Sequence, residues 1–193
     1  MLAHLAAADA DSRVYYVENG LFNSLFGLLC WEAIFAPLPG AFFHAYHHGP
    51  ADLYAADFRR RRQELFDRCL RALEQNRHAE PIRARYAAKS GIQSPFVDWS
   101  LMQPELLELA LTCIPAPDLR ACCEWILRDI GANGAGFPDL VQFWPAQRRY
   151  RLIEVKGPGD RLQENQRRLF EYFAQQAIPA CVMHVRWQPA VDS

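Results

Sequence analysis

The run Arg151-Leu152-Ile153-Glu154-Val155-Lys156, apolar residues interspersed with charged ones, reads as a strand whose side chains alternate faces. Glu154 and Lys156, two apart, share one face, while Ile153 and Val155 turn to the other. An earlier apolar run, Leu140-Val141-Gln142-Phe143-Trp144, can pair with it as a hairpin, and Asp139 stands at the edge of that run behind Pro138. Downstream, Asp160 with Gln163 three residues on reads as an N-cap and capping box. Leu162, Gln166, Leu169, Phe170 and Phe173 then fall on one helical face, with Gln166 the polar member of an inward stripe. A last strand is expected over Ala180-Cys181-Val182-Met183-His184-Val185-Arg186-Trp187. Residues 136 to 187 therefore read as strand, turn, strand, helix, strand.

The earlier part of the chain has another rhythm. Residues 14 to 36 read as one long apolar helix ended by Pro37 and Pro39. Glu18, Phe22, Leu25 and Leu29 recur at helical spacing, which puts Glu18 on the buried stripe. A carboxylate there is costly unless it is paired or bound to a cation, so Glu18 is a candidate metal ligand. Residues 40 to 128 look predominantly helical, with breaks near Gly49-Pro50, Ser90 to Pro95 and Pro115 to Pro117. We expect a single domain over residues 1–193: a first core helix at 14–36, a helical insertion at 40–128 and a strand-rich core at 136–187.

Composition narrows this picture modestly. With 193 residues, 51% apolar and 22% charged, the chain suits a packed globular fold rather than disorder. Its formal net charge of -1 excludes a general polycation, so contact with nucleic acid has to come from local basic patches. Six cysteines without a CxxC pair, mostly in apolar helical surroundings, suit free thiols in a reducing compartment. The segment Leu21 to Phe35 contains Asn23, Ser24 and Glu32 and reads as a core helix, so no membrane role is expected.

The chemistry lies in Pro138-Asp139 followed by Glu154-Val155-Lys156, a PD…ExK spacing. Two carboxylates and one ammonium converging from adjacent strands can hold a divalent metal against a phosphodiester. An isolated ExK is ordinarily a salt-bridging surface strand. What sets this one apart is the PD ahead of it and Gly157-Pro158-Gly159-Asp160-Arg161-Leu162 with Gln166 behind it.

With these residues in place, the chain resembles the VRR-NUC branch of the PD-(D/E)XK nuclease superfamily, and within it the C-terminal nuclease portion of the Fanconi-associated nucleases, bacterial type. Leu28 to Phe35, the region from Ala45-Tyr46 to Phe58, and Phe96-Val97-Asp98-Trp99 extend the likeness over roughly Val14 to Val185. The resemblance implies an α/β fold with a restriction-endonuclease-like mixed sheet flanked by helices and a helical insertion between the first helix and the sheet. It implies a structure-specific DNA nuclease acting as a 5′ flap endonuclease or 5′-to-3′ exonuclease in interstrand-crosslink repair. It also implies a metal site of Glu18, Asp139, Glu154 and the Val155 carbonyl for Mg2+ or Mn2+, with Lys156 and Gln166 as catalytic partners. Full-length members carry upstream DNA-binding and helical-repeat regions that this chain lacks, so a monomer working with such regions on flapped, branched or crosslinked DNA is expected.

For nucleic-acid contact the candidates are Arg161, Arg148, Arg149, Arg59 and Arg60. The plainer reading of Arg59-Arg60-Arg61-Arg62 is a solvated helix face paired with Glu64 and Asp67. Arg148, Arg149 and Arg151 flank the predicted site strands, and Arg167 and Arg168 lie on the following helix. His44-Ala45-Tyr46-His47-His48 lacks partners at zinc-finger spacing. Gly131 to Gly136 lacks a phosphate-loop lysine and suits a flexible approach to Asp139. Trp31, Trp99 and Trp125 suit the core. The competing functions are a dimeric junction resolvase or restriction-type endonuclease, an RNA-directed nuclease, and a non-catalytic DNA-binding module. A bacterial cytoplasm, or a nucleus in a eukaryote, is the expected location.

Overall fold

The computed structural model describes residue 9, residues 11–44 and residues 47–185. Ala45, Tyr46, Arg186 and Trp187, named above, lie outside them. The elements run β1 Arg13–Tyr16, α1 Gly20–Leu29, α2 Trp31–Ile34, α3 Phe58–Arg61, α4 Gln63–Glu74, α5 Ala79–Lys89, α6 Pro104–Cys113, α7 Ala116–Arg128, α8 Ile130–Asn133, β2 Leu140–Trp144, β3 Arg149–Lys156, α9 Glu164–Gln175 and β4 Ala180–His184. The sheet order is β1-β2-β3-β4, antiparallel except for the parallel β3–β4 pair that α9 connects. This is the expected mixed sheet flanked by helices, and the helical segment enters between neighbouring strands β1 and β2.

The single long helix expected over residues 14 to 36 is corrected. Arg13-Val14-Tyr15-Tyr16 forms an edge strand paired with β2, and the helix proper starts at Gly20. Valine and two tyrosines suit a pleated, half-buried strand, but pairing with residues 140 to 143 decides the matter. The described residues between 35 and 57 are turns, bends and irregular backbone, so helix dominates the insertion only from Phe58 onward.

One hydrophobic core joins the helices to one face of the sheet. Leu21, Phe22, Leu25 and Phe26 of α1 are buried in it with Val141, Phe143 and Leu152 of the sheet and Leu169 and Phe173 of α9. At Gly27 the helix is approached so closely by Phe96 that a Cβ would stand 2.7 Å from that side chain. Phe137 is the piece that matters for the site. Its ring stacks on Phe22 at 5.1 Å and leans on Phe173 at 6.3 Å, so the residue two before Asp139 is wedged between α1 and α9. Burying such a ring contributes about 2–3 kcal/mol. Trp31 and Trp125 are core residues as expected, and Trp99 packs against the core with its indole donating to the Ile92 carbonyl. All six cysteines are free thiols.

The approach to Asp139 is built rather than loose, contrary to the flexible segment expected. Residues 130 to 133 form α8, and Asn133 donates to the Trp125 carbonyl at 2.9 Å. Asn23 of α1 donates to the Gly134 carbonyl at 2.7 Å, and the Phe137 N–H donates to Asn19 Oδ1 at 3.0 Å. Gly136 adopts φ +92°, and a Cβ there would meet the Asn165 side chain at 3.0 Å, so the turn requires glycine.

Candidate active site

Asp139 joins three strands at one end of the sheet. Its carbonyl accepts from the Val17 and Glu18 N–H groups at 2.8 and 3.0 Å, where β1 stops. Its Oδ2 accepts from the Val155 N–H at 2.7 Å, so a side chain continues the β2–β3 ladder where the backbone leaves it. Leu140 pairs with Ile153, which sets Asp139 opposite Glu154.

Glu154 and Lys156 share the face of β3 that looks toward α9. Both are buried, and Lys156 Nζ lies 2.8 Å from Glu154 Oε1. Gln166 binds both: its Nε2 donates to Glu154 Oε1 at 2.6 Å, and its Oε1 accepts from Lys156 Nζ at 2.9 Å. The same Oε1 accepts from the Gln163 N–H at 3.0 Å and completes a capping box. The helix N-cap is therefore Gln163, not Asp160, whose carboxylate instead accepts from the Gly157 N–H at 2.9 Å and closes the turn after β3. The inward-facing glutamine expected from helical spacing is where it was placed.

Electrostatics mark Glu154 as an under-satisfied group. Burial, with the nearby Asp139 charge, pushes its carboxyl above the usual range despite the opposing pull of Lys156 and Gln166. Its buried Oε2 has no hydrogen-bond partner. A buried carboxylate oxygen left open is costly, and a hard cation would satisfy it.

Glu18 is corrected in position but not in neighbourhood. It is an exposed turn residue at φ +36° between β1 and α1, not a member of a buried helical stripe. A non-glycine residue in that region costs about 1 kcal/mol or more, and the two N–H bonds to Asp139 hold it there. Glu18 Oε2 accepts from the Tyr16 hydroxyl at 2.7 Å. That hydrogen bond, with some burial and the charges of Glu18, Asp139 and Glu154, pushes the Tyr16 hydroxyl up to about 12. One phenol thus senses all three carboxylates.

Among the described residues, no three His, Cys, Asp or Glu side chains stand close enough to form a finished metal cage. The donor set nevertheless fits a hard divalent ion: three carboxylates on adjoining segments, one with a buried open oxygen. Tyr16, Asn19 and His184 were not anticipated. His184 pairs with Lys156 across β3–β4, a position visible only once that register is known.

The arginines divide. Arg161, with Arg167, His184 and Lys156, lines a cleft of about 360 Å3 beside the site. Arg148 and Arg149 do not flank the carboxylates: Arg149 pairs with Trp144 at the other end of the hairpin, about 17 Å along the strand from Asp139. There Arg149 sits 3.9 Å over the Trp144 ring. The solvated-face reading of residues 59–62 is also corrected. Arg62 is buried and holds Asp52 at 2.8 and 2.9 Å, Arg61 also binds Asp52, and Arg60 binds Asp57 at 3.3 Å. Neither Glu64 nor Asp67 forms an ion pair among the described residues, and Arg59 is exposed without one. A cavity of about 680 Å3 lies between α4, α6 and α7, away from the carboxylates.

Comparison with known proteins adds an independent line. Residues 73–187 match the VRR-NUC domain model, a span that includes Asp139, Glu154, Lys156 and Gln166. A Fanconi-associated nuclease 1 homolog of Pseudomonas aeruginosa is 62% identical over 179 residues, covering 93% of this chain and 32% of that protein. Fanconi-associated nuclease 1 of Homo sapiens is 32% identical over 174 residues, covering 86% of this chain and 17% of that protein. A crystal structure of paFAN1 bound to 2nt 5′flap DNA with gap is similar with a TM-score of 0.95 at 58% identity, covering 100% of this chain and 34% of that one. This chain therefore spans about a third of the length of the Pseudomonas relative and of the crystallised one.

Proposed function

The chain belongs to the VRR-NUC domain family, and from that premise we propose that it hydrolyses phosphodiester bonds in DNA, cutting near 5′ flaps or digesting from a 5′ end in interstrand-crosslink repair. The observation that carries the reading is the set formed by Asp139 opposite Glu154, with Lys156 and Gln166 bonded to that glutamate and its buried Oε2 open. The flap preference is supported by the flap DNA bound to paFAN1 in the similar crystal structures. The role in crosslink repair rests on the family resemblance. No helix of the described residues is long and apolar enough to cross a membrane; the likeness to a Pseudomonas aeruginosa nuclease supports placing the protein in a bacterial cytoplasm, where the DNA is. We read it as a monomer that works with upstream DNA-binding regions.

Asp139 and Glu154, with Glu18 and the Val155 carbonyl, would hold Mg2+ or Mn2+. Such an ion, when bound, lowers the pKa of water and neutralises charge on the phosphate. Asp139 is pre-oriented by the Val155 N–H, and Glu154 by Gln166 and Lys156. Lys156 orients the attacking water and directs its charge at the developing phosphorane. Gln166 ties α9 to both groups, so the ammonium keeps its aim when the phosphate arrives. Arg161 holds the backbone beside the cut and makes binding salt-dependent.

Cleavage of a 5′-labelled and a 3′-labelled flap DNA, with manganese or EDTA, by wild type and Asp139→Ala tests this. Metal-dependent cutting lost in the variant is expected, and the two labels report where the strand is cut. Unchanged flap binding without cutting by wild type would favour the non-catalytic module.

A further inference from the structure

We propose that Tyr16 is a positioning residue of the metal site, holding Glu18 through its hydroxyl so that the carboxylate is presented beside Asp139. The inference rests on the nuclease reading above and deepens it. Tyr16 is the last residue of β1, an edge strand, and is 55% exposed. An exposed aromatic whose hydroxyl spends its hydrogen bond on a carboxylate two residues away is not explained by core packing. Tyr16 pairs with Leu140, the residue after Asp139, so the phenol is fixed by the same ladder that fixes the catalytic aspartate.

Glu18 needs such a hold. It is exposed, sits in a turn at φ +36°, and lies outside both the sheet and α1. An exposed glutamate side chain is otherwise free to explore many rotamers, and ordering it costs up to about 1.5–2 kcal/mol. Tyr16 takes Oε2 at 2.7 Å, while Asn19 Nδ2 stands 3.5 Å from Oε1, at the limit of a hydrogen bond. The short contact selects the rotamer and the looser oxygen is left for a ligand. Asn19 accepts from the Phe137 N–H through its own Oδ1, so the turn carrying Glu18 is linked to the segment carrying Asp139 from a second side. Partners of this kind orient metal-binding carboxylates and commonly change affinity by 10–100-fold when removed.

The test is Mn2+ binding to the whole chain by isothermal titration calorimetry, with wild type, Tyr16→Phe, Glu18→Gln, the double variant and Asp139→Ala. Tyr16→Phe keeps the ring and the fold and removes only the hydroxyl. We expect it to weaken Mn2+ binding about tenfold. In the double variant it should add nothing to the loss from Glu18→Gln, because the hydroxyl acts only through that carboxylate. Wild-type affinity in Tyr16→Phe, or losses that add in the double variant, would overturn the role of Tyr16 while a weakened Asp139→Ala left the metal site standing. Equal binding by wild type and Asp139→Ala would overturn the metal site itself, and this role with it. In flap cleavage the variant should recover toward wild-type kcat as Mn2+ is raised, with KM for DNA unchanged; a raised KM would instead mark Tyr16 as a DNA contact and defeat the proposal.

Discussion

A half-buried carboxylate, Asp52, and a buried one, Glu154, are each held by a cation, and they are held to opposite effect. Burial pushes Asp52 up, but Arg62 and Arg61 outweigh it and keep its carboxyl below the usual range. Arg62 also lies 4.1 Å over the Phe58 ring, so this pair anchors the 50–62 segment to the helices. Glu154 has a lysine at 2.8 Å and a glutamine at 2.6 Å, yet burial and Asp139 leave its carboxyl raised and one oxygen open. Two arginines, one of them gripping both carboxylate oxygens, close a site for structure. One ammonium beside a second carboxylate leaves a site that still attracts positive charge. Stability is given up at the site where the chemistry is proposed.

Four measurements sharpen or break this contrast. The largest effect is on activity: Glu154→Gln is expected to lower flap cleavage by about a thousandfold or more, since it removes a metal-facing charge without removing the side chain. Residual cleavage within tenfold of wild type would end the claim that Glu154 is a catalytic group. Next comes Asp52→Ala, which strands a buried guanidinium. We expect a loss of about 3–5 kcal/mol, seen as a drop in Tm of roughly 10 °C. A variant that melts like wild type would show that the Asp52 pair is as dispensable to folding as an exposed one. Gln166→Ala should reduce cleavage by about 10–100-fold while leaving Tm within about 2 °C, separating its grip on Lys156 and Glu154 from the packing of α9.

The smallest effect is the pH dependence of stability, where the two carboxylates should differ in sign. Asp52 has a lowered folded-state pKa, so its contribution is present above the usual carboxylate range and is lost as pH falls through its depressed value. Glu154 has a raised one: the folded state keeps the proton longer, and stability declines as pH rises from the usual range through its raised value. Glu154→Gln should therefore equal or exceed wild type in stability at neutral pH and lose that advantage in acid. Chemical denaturation between pH 4 and 8 reads this directly, and a variant less stable at pH 7 would reverse the sign assigned to Glu154.

What could be read along the chain was local. Asp139, Glu154, Lys156 and Gln166 lie within one short stretch, and strand alternation followed by helical spacing carries them to one place. Gln166 needed only the turn count of α9 to be aimed at the sheet, and the structure puts it on both Glu154 and Lys156. The first strand could not be read in the same way. Arg13 to Tyr16 is compatible with strand or helix by composition, and its pairing with β2 settles the question from the far side of the helical segment. Missing that strand misplaced Glu18 and hid Tyr16.

The four-arginine run shows the same limit. Charge spacing cannot tell a solvated face from a buried ion pair, and only the path of residues 50 to 57 brings Asp52 against Arg62. Sequence proximity put Arg148 and Arg149 beside the site, and a hairpin with its open end at Asp139 moved them to the opposite end of β2 and β3. By itself, then, the sequence determined the stretch from Asp139 to Gln166 and the mixed α/β character, because both depend on periodicities of a few residues. Tertiary structure decided which distant backbone completes the sheet, which cation is buried, and where the third carboxylate stands. Those depend on hydrogen bonds such as Phe137 N–H to Asn19, 118 residues apart, which no local pattern encodes.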